Sequence, residues 1–123
     1  MRIAIPVTSD HADARIADTF ARAPFFLITD SQTGAEQIIA NPSASESNGA
    51  GVKAAQTIVD QGVSVLLAPR CGQSASQVLE AASVTISKVP VGPAHSVAAN
   101  YLRGKLGAEP QDALELQDEA ELL

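Results

Sequence analysis

A single cysteine, Cys71, stands in 123 residues. This excludes an internal disulfide, and it excludes a four-cysteine iron–sulfur site built by one chain. Aromatic residues make up only 3% of the sequence and tryptophan is missing, so the core has to be assembled from Ala, Val, Ile and Leu. The hydrophobic share of 46% suffices for one packed domain at this length. No stretch approaches the roughly 18 consecutive apolar residues of a membrane span. The opening Met1–Val7 stretch is too short for the apolar region of a signal peptide. The expected compartment is the cytoplasm, with no membrane association.

Basic residues are missing from 109–123, where six acids lie: Glu109, Asp112, Glu115, Asp118, Glu119 and Glu121. Residues 1–108 hold eight acidic and eight basic side chains, so the net charge of −6 belongs to the C-terminal segment. A neutral body with an acidic tail lacks the basic face that nucleic acid requires. The chain therefore reads as an α/β domain over 1–107 and an acidic tail over 108–123. In the tail, Leu116, Ala120 and Leu123 form a weak helical stripe. A helix so short is marginal alone, and its charge would repel an anionic ligand.

Within the body, Ile3, Ile5 and Val7 alternate as a first strand. Thr8–Arg22 is a polar loop with a short extended stretch around Ala14–Ala17. Phe25–Thr29 is apolar without alternation, which predicts a strand covered on both faces. Ser31–Gly34 has turn chemistry and returns the chain as a hairpin strand over Ala35–Ala40. Val52, Ala55, Ile58 and Val59 share one helical face, and Gly62 follows as a stop. Val63–Ala68 and Val84–Val89 read as strands, Gly72–Ala82 and Pro93–Leu102 as helices, the last with Gly104 at its end. Alternating strands and helices imply parallel strands with right-handed crossovers. The expected architecture is a mixed five-stranded sheet with helices on both faces.

Ligands of open α/β sheets sit beyond the carboxyl ends of parallel strands. Three loops leave such ends: Thr8–Arg22, Pro69–Ser74 and Pro90–His95. Arg70-Cys71-Gly72 is the strongest candidate among them. It leaves a buried strand and enters a helix, whose free N–H groups attract anions, and Arg70 adds a fixed cation. There Cys71 would have a lowered pKa, and a soft thiolate suits copper, iron–sulfur or thiometallate species. The competing reading makes Cys71 a small packing residue and Arg70 a solvated charge.

Asn48-Gly49-Ala50-Gly51 is a weaker anion signal, since glycines let backbone N–H groups approach a ligand. It lacks the Gly-Lys-Ser/Thr ending of a Walker motif. His11 and His95 lie in two of the three loops, yet two histidines without further ligand spacing do not make a metal site. Asp10, Asp13 and Asp18 share a loop and read as solvated carboxylates or a hard-cation site. Neither a nucleophile elbow nor a pair of carboxylates marks a hydrolase.

One segment is more specific. In Asp18-Thr-Phe-Ala-Arg-Ala-Pro-Phe-Phe-Leu-Ile-Thr-Asp30 a polar loop carrying Phe20 and Arg22 turns at Pro24 into an apolar strand. It resembles the signature of the dinitrogenase iron–molybdenum cofactor biosynthesis family, in which Phe-(Gly/Ala)-Arg-Ala-Pro opens the second long strand. The resemblance covers roughly residues 1–106 and implies a ribonuclease-H-like, three-layer α/β fold. It implies a non-enzymatic carrier or scaffold that binds an anionic, molybdenum-containing metal–sulfur cluster (Mo–Fe–S or Mo–Cu–S) non-covalently, in cofactor assembly or storage. Cofactor-assembly proteins or ATPases would be its partners, and a monomer or weak homodimer is expected.

The family's Gly-rich stretch falls at Asn48–Gly51. The cofactor-binding set then comprises Arg22, Asn48, Gly49, Gly51, Arg70, Cys71 and Gly72, with Cys71 as the metal ligand. Phe20 reads as a core plug, while Arg22 faces the ligand or pairs with Asp18 or Asp30. The chain departs from many members, which carry His where Thr19 stands and His near Ser45–Ser47. This weakens the case for histidine ligation and favours a cluster that brings its own sulfides, as in the orange-protein-like members. Two other classes compete: a metal-free regulatory or partner-binding module, and an enzyme with Cys71 as nucleophile and His95 or His11 as base.

Overall fold

The computed structural model describes residues 1–11, 13–46 and 48–106, the side chains of residues 105 and 106 excepted. The acidic tail lies outside the described residues. Five strands and three helices follow in order: β1 (Arg2–Val7), β2 (Phe25–Asp30), β3 (Glu36–Ala40), α1 (Ala50–Asp60), β4 (Val65–Ala68), α2 (Gln73–Ala81), β5 (Thr85–Lys88) and α3 (Ala94–Leu106). The strands form one sheet in the order β3-β2-β1-β4-β5. β1–β2 and β2–β3 are antiparallel, while β1–β4 and β4–β5 are parallel. This is the expected mixed α/β sheet of ribonuclease-H-like type.

Each central strand divides its side chains between two cores, as the period of two dictates. Ala4, Phe26, Ile28, Leu66 and Ala68 face one side, where α1 and α2 supply Ala54, Ala55, Ile58, Ala75 and Leu79. Ile3, Ile5, Val7, Leu27, Val65 and Leu67 face the other, under Ala94 and Ala98 of α3. The result is three layers, with two helices on one face and one on the other. Among the described residues no helix is long and apolar enough to cross a membrane.

Small residues set the spacing of α1 and α2. A Cβ added at Gly51 would stand 3.5 Å from Ala75 Cβ and 3.9 Å from Ala21 Cβ. α1 therefore begins at Ala50, earlier than its periodicity predicts, and presents Ala50, Ala54, Ala55 and Ile58 inward. Val52, expected on the buried face, is 43% exposed. α3 continues through Gly104 to Leu106 instead of ending there. Glycine in a helix interior is unfavourable but tolerated when tertiary contacts hold the helix.

The polar loop after β1 folds back on the strand that precedes it. Thr8 N donates to Arg15 O at 3.0 Å, and Ala17 N donates to Pro6 O at 2.8 Å. The chain then delivers Phe20 into the α1/α2 core, where its ring stacks on Phe26 with centroids 5.2 Å apart. Phe20 is the core plug its residue type suggests.

Candidate functional site

Beyond the carboxyl ends of β4 and β5 lies a cavity of about 630 Å³. The end of the β1–β2 loop contributes Thr19, Phe20, Ala21 and Arg22. The β4–α2 connection contributes Ala68, Pro69, Arg70, Cys71 and Gly72, α2 adds Ser76, and β5 adds Ile86 and Lys88. Backbone pairing brings these segments together: Phe20 N donates to Arg70 O at 3.2 Å, and Ala68 stands opposite Lys88 in the β4–β5 register.

Among the described residues, three cations line the cavity, Arg22, Arg70 and Lys88, and no carboxylate does. All three are exposed, so they stand where the cavity meets solvent. Among the described residues, neither Arg70 nor Lys88 has an ion-pair partner. Arg22 pairs with neither Asp18 nor Asp30; its Nη1 donates to the carbonyl oxygens of Glu46 and Ala44. α2 opens on Gly72 with no side-chain cap, which leaves its first N–H groups without the partner that a Ser, Thr or Asp would supply.

Cys71 lines the same cavity, half-buried one residue ahead of that N-cap, and packs against the α1/α2 core. Burial pushes its thiol pKa up and the charge of Glu80 adds to this, while a hydrogen bond with Ser76 acts in the opposite sense. The lowered pKa expected at a helix start is therefore not found, because desolvation of the thiolate outweighs the stabilising contacts. Cys71 is a protonated thiol at neutral pH. Alkylation by iodoacetamide is accordingly expected to run slower at pH 8 than for a free cysteine, with the midpoint of its pH profile above the usual thiol range. A midpoint below that range would reinstate a thiolate. The linkage has the matching sign: the stabilisation is present below the unfolded-state pKa and is lost as the pH rises through the folded one.

The other candidates separate from this cavity. Asn48 and Gly49 do not line it; Gly49 adopts φ 72° as the N-cap of α1, a left-handed conformation that glycine takes without strain. Gly51 does not line the cavity and stands at the contact of α1 with α2. The loop after β5 does not join either, because the chain crosses there to the opposite face of the sheet. Ile16 N donates to Gly92 O at 2.8 Å, and Arg15 bridges Pro93. His95 thus lies against the edge strand, where Nε2 stands 2.8 Å from Glu36 Oε1. His11 is exposed beside Asp10. No group of three or more His, Cys, Asp or Glu side chains among the described residues could hold a metal ion.

Lys88 and Asn41 were not legible in advance. Lys88 enters through strand register, for which the only sequence signal is a cation at the carboxyl end of a parallel strand. Asn41 is buried, and its Nδ2 donates to Ala21 O at 3.0 Å and Ala23 O at 2.8 Å. Its Oδ1 accepts from Ser43 N at 3.1 Å and Ser43 Oγ at 2.8 Å. The residue clamps the loop carrying Arg22 to the segment after β3.

Fold and site together define a small ribonuclease-H-like α/β domain with a cavity at the ends of its parallel strands that, among the described residues, is lined by cations and by no carboxylate. A family model described as dinitrogenase iron-molybdenum cofactor matches residues 1–104, and the chain belongs to that family. It is similar to the apo form of the orange protein from Desulfovibrio gigas: identity is 31%, the TM-score is 0.80, and the match covers 85% of this chain and 88% of the other. It is also similar to a Thermotoga protein described as a candidate NifB protein of the DUF35 family. There identity is 28%, the TM-score is 0.75, and coverage is 91% of this chain and 98% of the other. No curated protein sequence matches the chain.

Proposed function

We propose that this protein is a non-enzymatic carrier or scaffold that holds an anionic, molybdenum-containing metal–sulfur cluster non-covalently in the cavity beside Arg70, Cys71 and Gly72. The reading is carried by one observation: among the described residues, three cations and no carboxylate line the cavity. Unbalanced positive charge at a partly dry site calls for an anion. A volume of about 630 Å³ accommodates a compact cluster. Family membership supports a role in nitrogenase-cofactor-related chemistry.

In this reading Arg70 and Lys88 supply the attracting charge, and the start of α2 supplies N–H donors. Arg22 contributes charge while its guanidinium holds the Ala44–Glu46 segment. Cys71 lies beside the cargo as a neutral, polarisable thiol, and the cluster brings its own sulfides. Asn48, Gly49 and Gly51 keep only a supporting part.

Anaerobic titration of the metal-free protein with tetrathiomolybdate and copper(I) tests this. Arg70→Ala and Lys88→Ala should each weaken binding roughly tenfold or more, the scale of one charged contact. Added salt should weaken it too, because part of the attraction is Coulombic. Cys71→Ser should bind like wild type. Equal binding by the two cation variants would remove the cavity from the reading, and loss of binding in Cys71→Ser would make the sulfur a ligand.

A further inference from the structure

We propose that the acidic segment of this chain is an internal competitor for the cavity: Asp118, Glu119 and Glu121 engage its cations until an anionic cargo displaces them. The inference rests on the proposed anion site and adds how that site is regulated.

Charge is divided unevenly along the sequence. Residues 1–108 balance eight acids with eight bases, whereas 109–121 hold six acids and no base. The body nevertheless gathers three of its eight bases, Arg22, Arg70 and Lys88, at one cavity, and among the described residues no carboxylate lines it. Glu46 and Glu36 are taken up elsewhere, by Lys53 and His95. Among the described residues Arg70 and Lys88 have no ion-pair partner. The surplus of carboxylates that would match them sits in the tethered segment. Tethering raises its local concentration to the order of mM, so exposed ion pairs too weak to hold a free peptide suffice. A cargo that meets the cations and the uncapped start of α2 together displaces it.

Reach selects which acids take part. α3 begins at the sheet edge that holds the cavity, where Ala94 N donates to Ala14 O at 3.1 Å. Its 13 residues rise about 20 Å and carry the chain back along β1 toward Met1, which shares a core with Tyr101 and Leu102. From Leu106 the way to the cavity runs past the free edge of β5 and up the strands, on the order of 40 Å in all. Asp118, Glu119 and Glu121 stand 12 to 15 residues beyond Leu106, a span of up to about 40–54 Å. Glu109, Asp112 and Glu115 stand at most nine residues beyond it, a span of about 32 Å, and fall short.

The test uses the full chain with two triple variants of equal charge. The distal one is Asp118→Asn, Glu119→Gln and Glu121→Gln; the proximal one is Glu109→Gln, Asp112→Asn and Glu115→Gln. The first readout needs no cargo: alkylation of Cys71, which lines the cavity, by uncharged iodoacetamide at low salt. The distal variant should react about three- to tenfold faster than wild type and the proximal one like wild type, with the difference lost near 1 M salt. Anaerobic titration with tetrathiomolybdate should show a matching gain in affinity for the distal variant alone, and the gain should shrink when Lys88→Ala is added. A folded distal variant that reacts and binds like wild type would overturn the competitor while leaving the anion site standing. Equal gains in both triple variants would report general repulsion and overturn it too. A wild-type alkylation rate that falls with rising protein concentration would overturn the contact within one chain in favour of the segment of a second copy. Tetrathiomolybdate that fails to bind any variant, with alkylation responding as expected, would overturn the anion site and keep the segment in the cavity.

Discussion

Phe20→Ala is expected to destabilise the protein by about 3–5 kcal/mol, the range for deleting a buried aromatic ring. The ring is 1% exposed and stacks on Phe26 at an interplanar angle of 23°. With so few aromatics in the chain, alanines make up a large share of this core. Ala17, Ala23, Ala54, Ala55 and Ala75 share this core and cannot swing in to fill the space. Most of the void should therefore persist, which places the cost toward the upper end of that range. Phe20→Leu keeps most of the volume and should cost about 1–2 kcal/mol. Urea denaturation checks both, read as a shift in midpoint at constant slope. A cost below about 1 kcal/mol for the alanine variant would show that the signature loop does not anchor the core. Because Phe20 also lines the cavity, the alanine variant should lose thiometallate binding along with stability.

Asn41→Ala should cost about 2–5 kcal/mol, on the rule that each buried polar group left unpaired costs about 1–3 kcal/mol. Four hydrogen bonds leave with the side chain: those to the carbonyls of Ala21 and Ala23, and those from the amide and hydroxyl of Ser43. The hydroxyl retains Ala50 O as an acceptor at 3.2 Å, so Ser43 loses less than the loop does. Asn41→Asp retains the acceptor for Ser43 but sets a carboxylate against two carbonyl oxygens, and should be at least as damaging as alanine. The functional consequence is local. Arg22 sits between the two clamped residues, so slackening Ala21–Ala23 should increase hydrogen exchange at 20–24 before global unfolding. Protection at those amides equal to wild type would mean that Asn41 stabilises the fold without shaping the cavity.

Both residues mark how far the chain could be read before folding. Phe20 was legible as a plug because it is a lone aromatic next to an apolar strand. Asn41 was not, because an asparagine after a strand also reads as ordinary turn chemistry. Its role depends on a loop some twenty residues away lying within hydrogen-bond reach. Cys71 shows the same division. Its place between a buried strand and a helix follows from the pattern, but its titration depends on how dry the surroundings are. The apolar core against which it packs reverses the shift that its position suggests.

The sequence by itself determined the strand and helix order, the polarity of the sheet and the family, because periods of two and 3.6 and the Phe20–Pro24 stretch are local properties. It also determined that Arg70 and Cys71 would stand at a strand-to-helix turn. The tertiary structure alone decided which of the candidates meet. β5 pairs with β4 in a register that places Lys88 beside Ala68, adding a cation to the cavity. The crossover after β5 carries the chain to the face opposite α1 and α2, which takes His95 to Glu36 and away from Cys71. The approach of α1 to α2 places Gly51 against Ala75, outside the cavity lining. The physical reason is common to all three: periodicity states which face of an element is apolar, whereas a site depends on strand register, crossover side and helix spacing, which are settled by packing between segments distant in the chain.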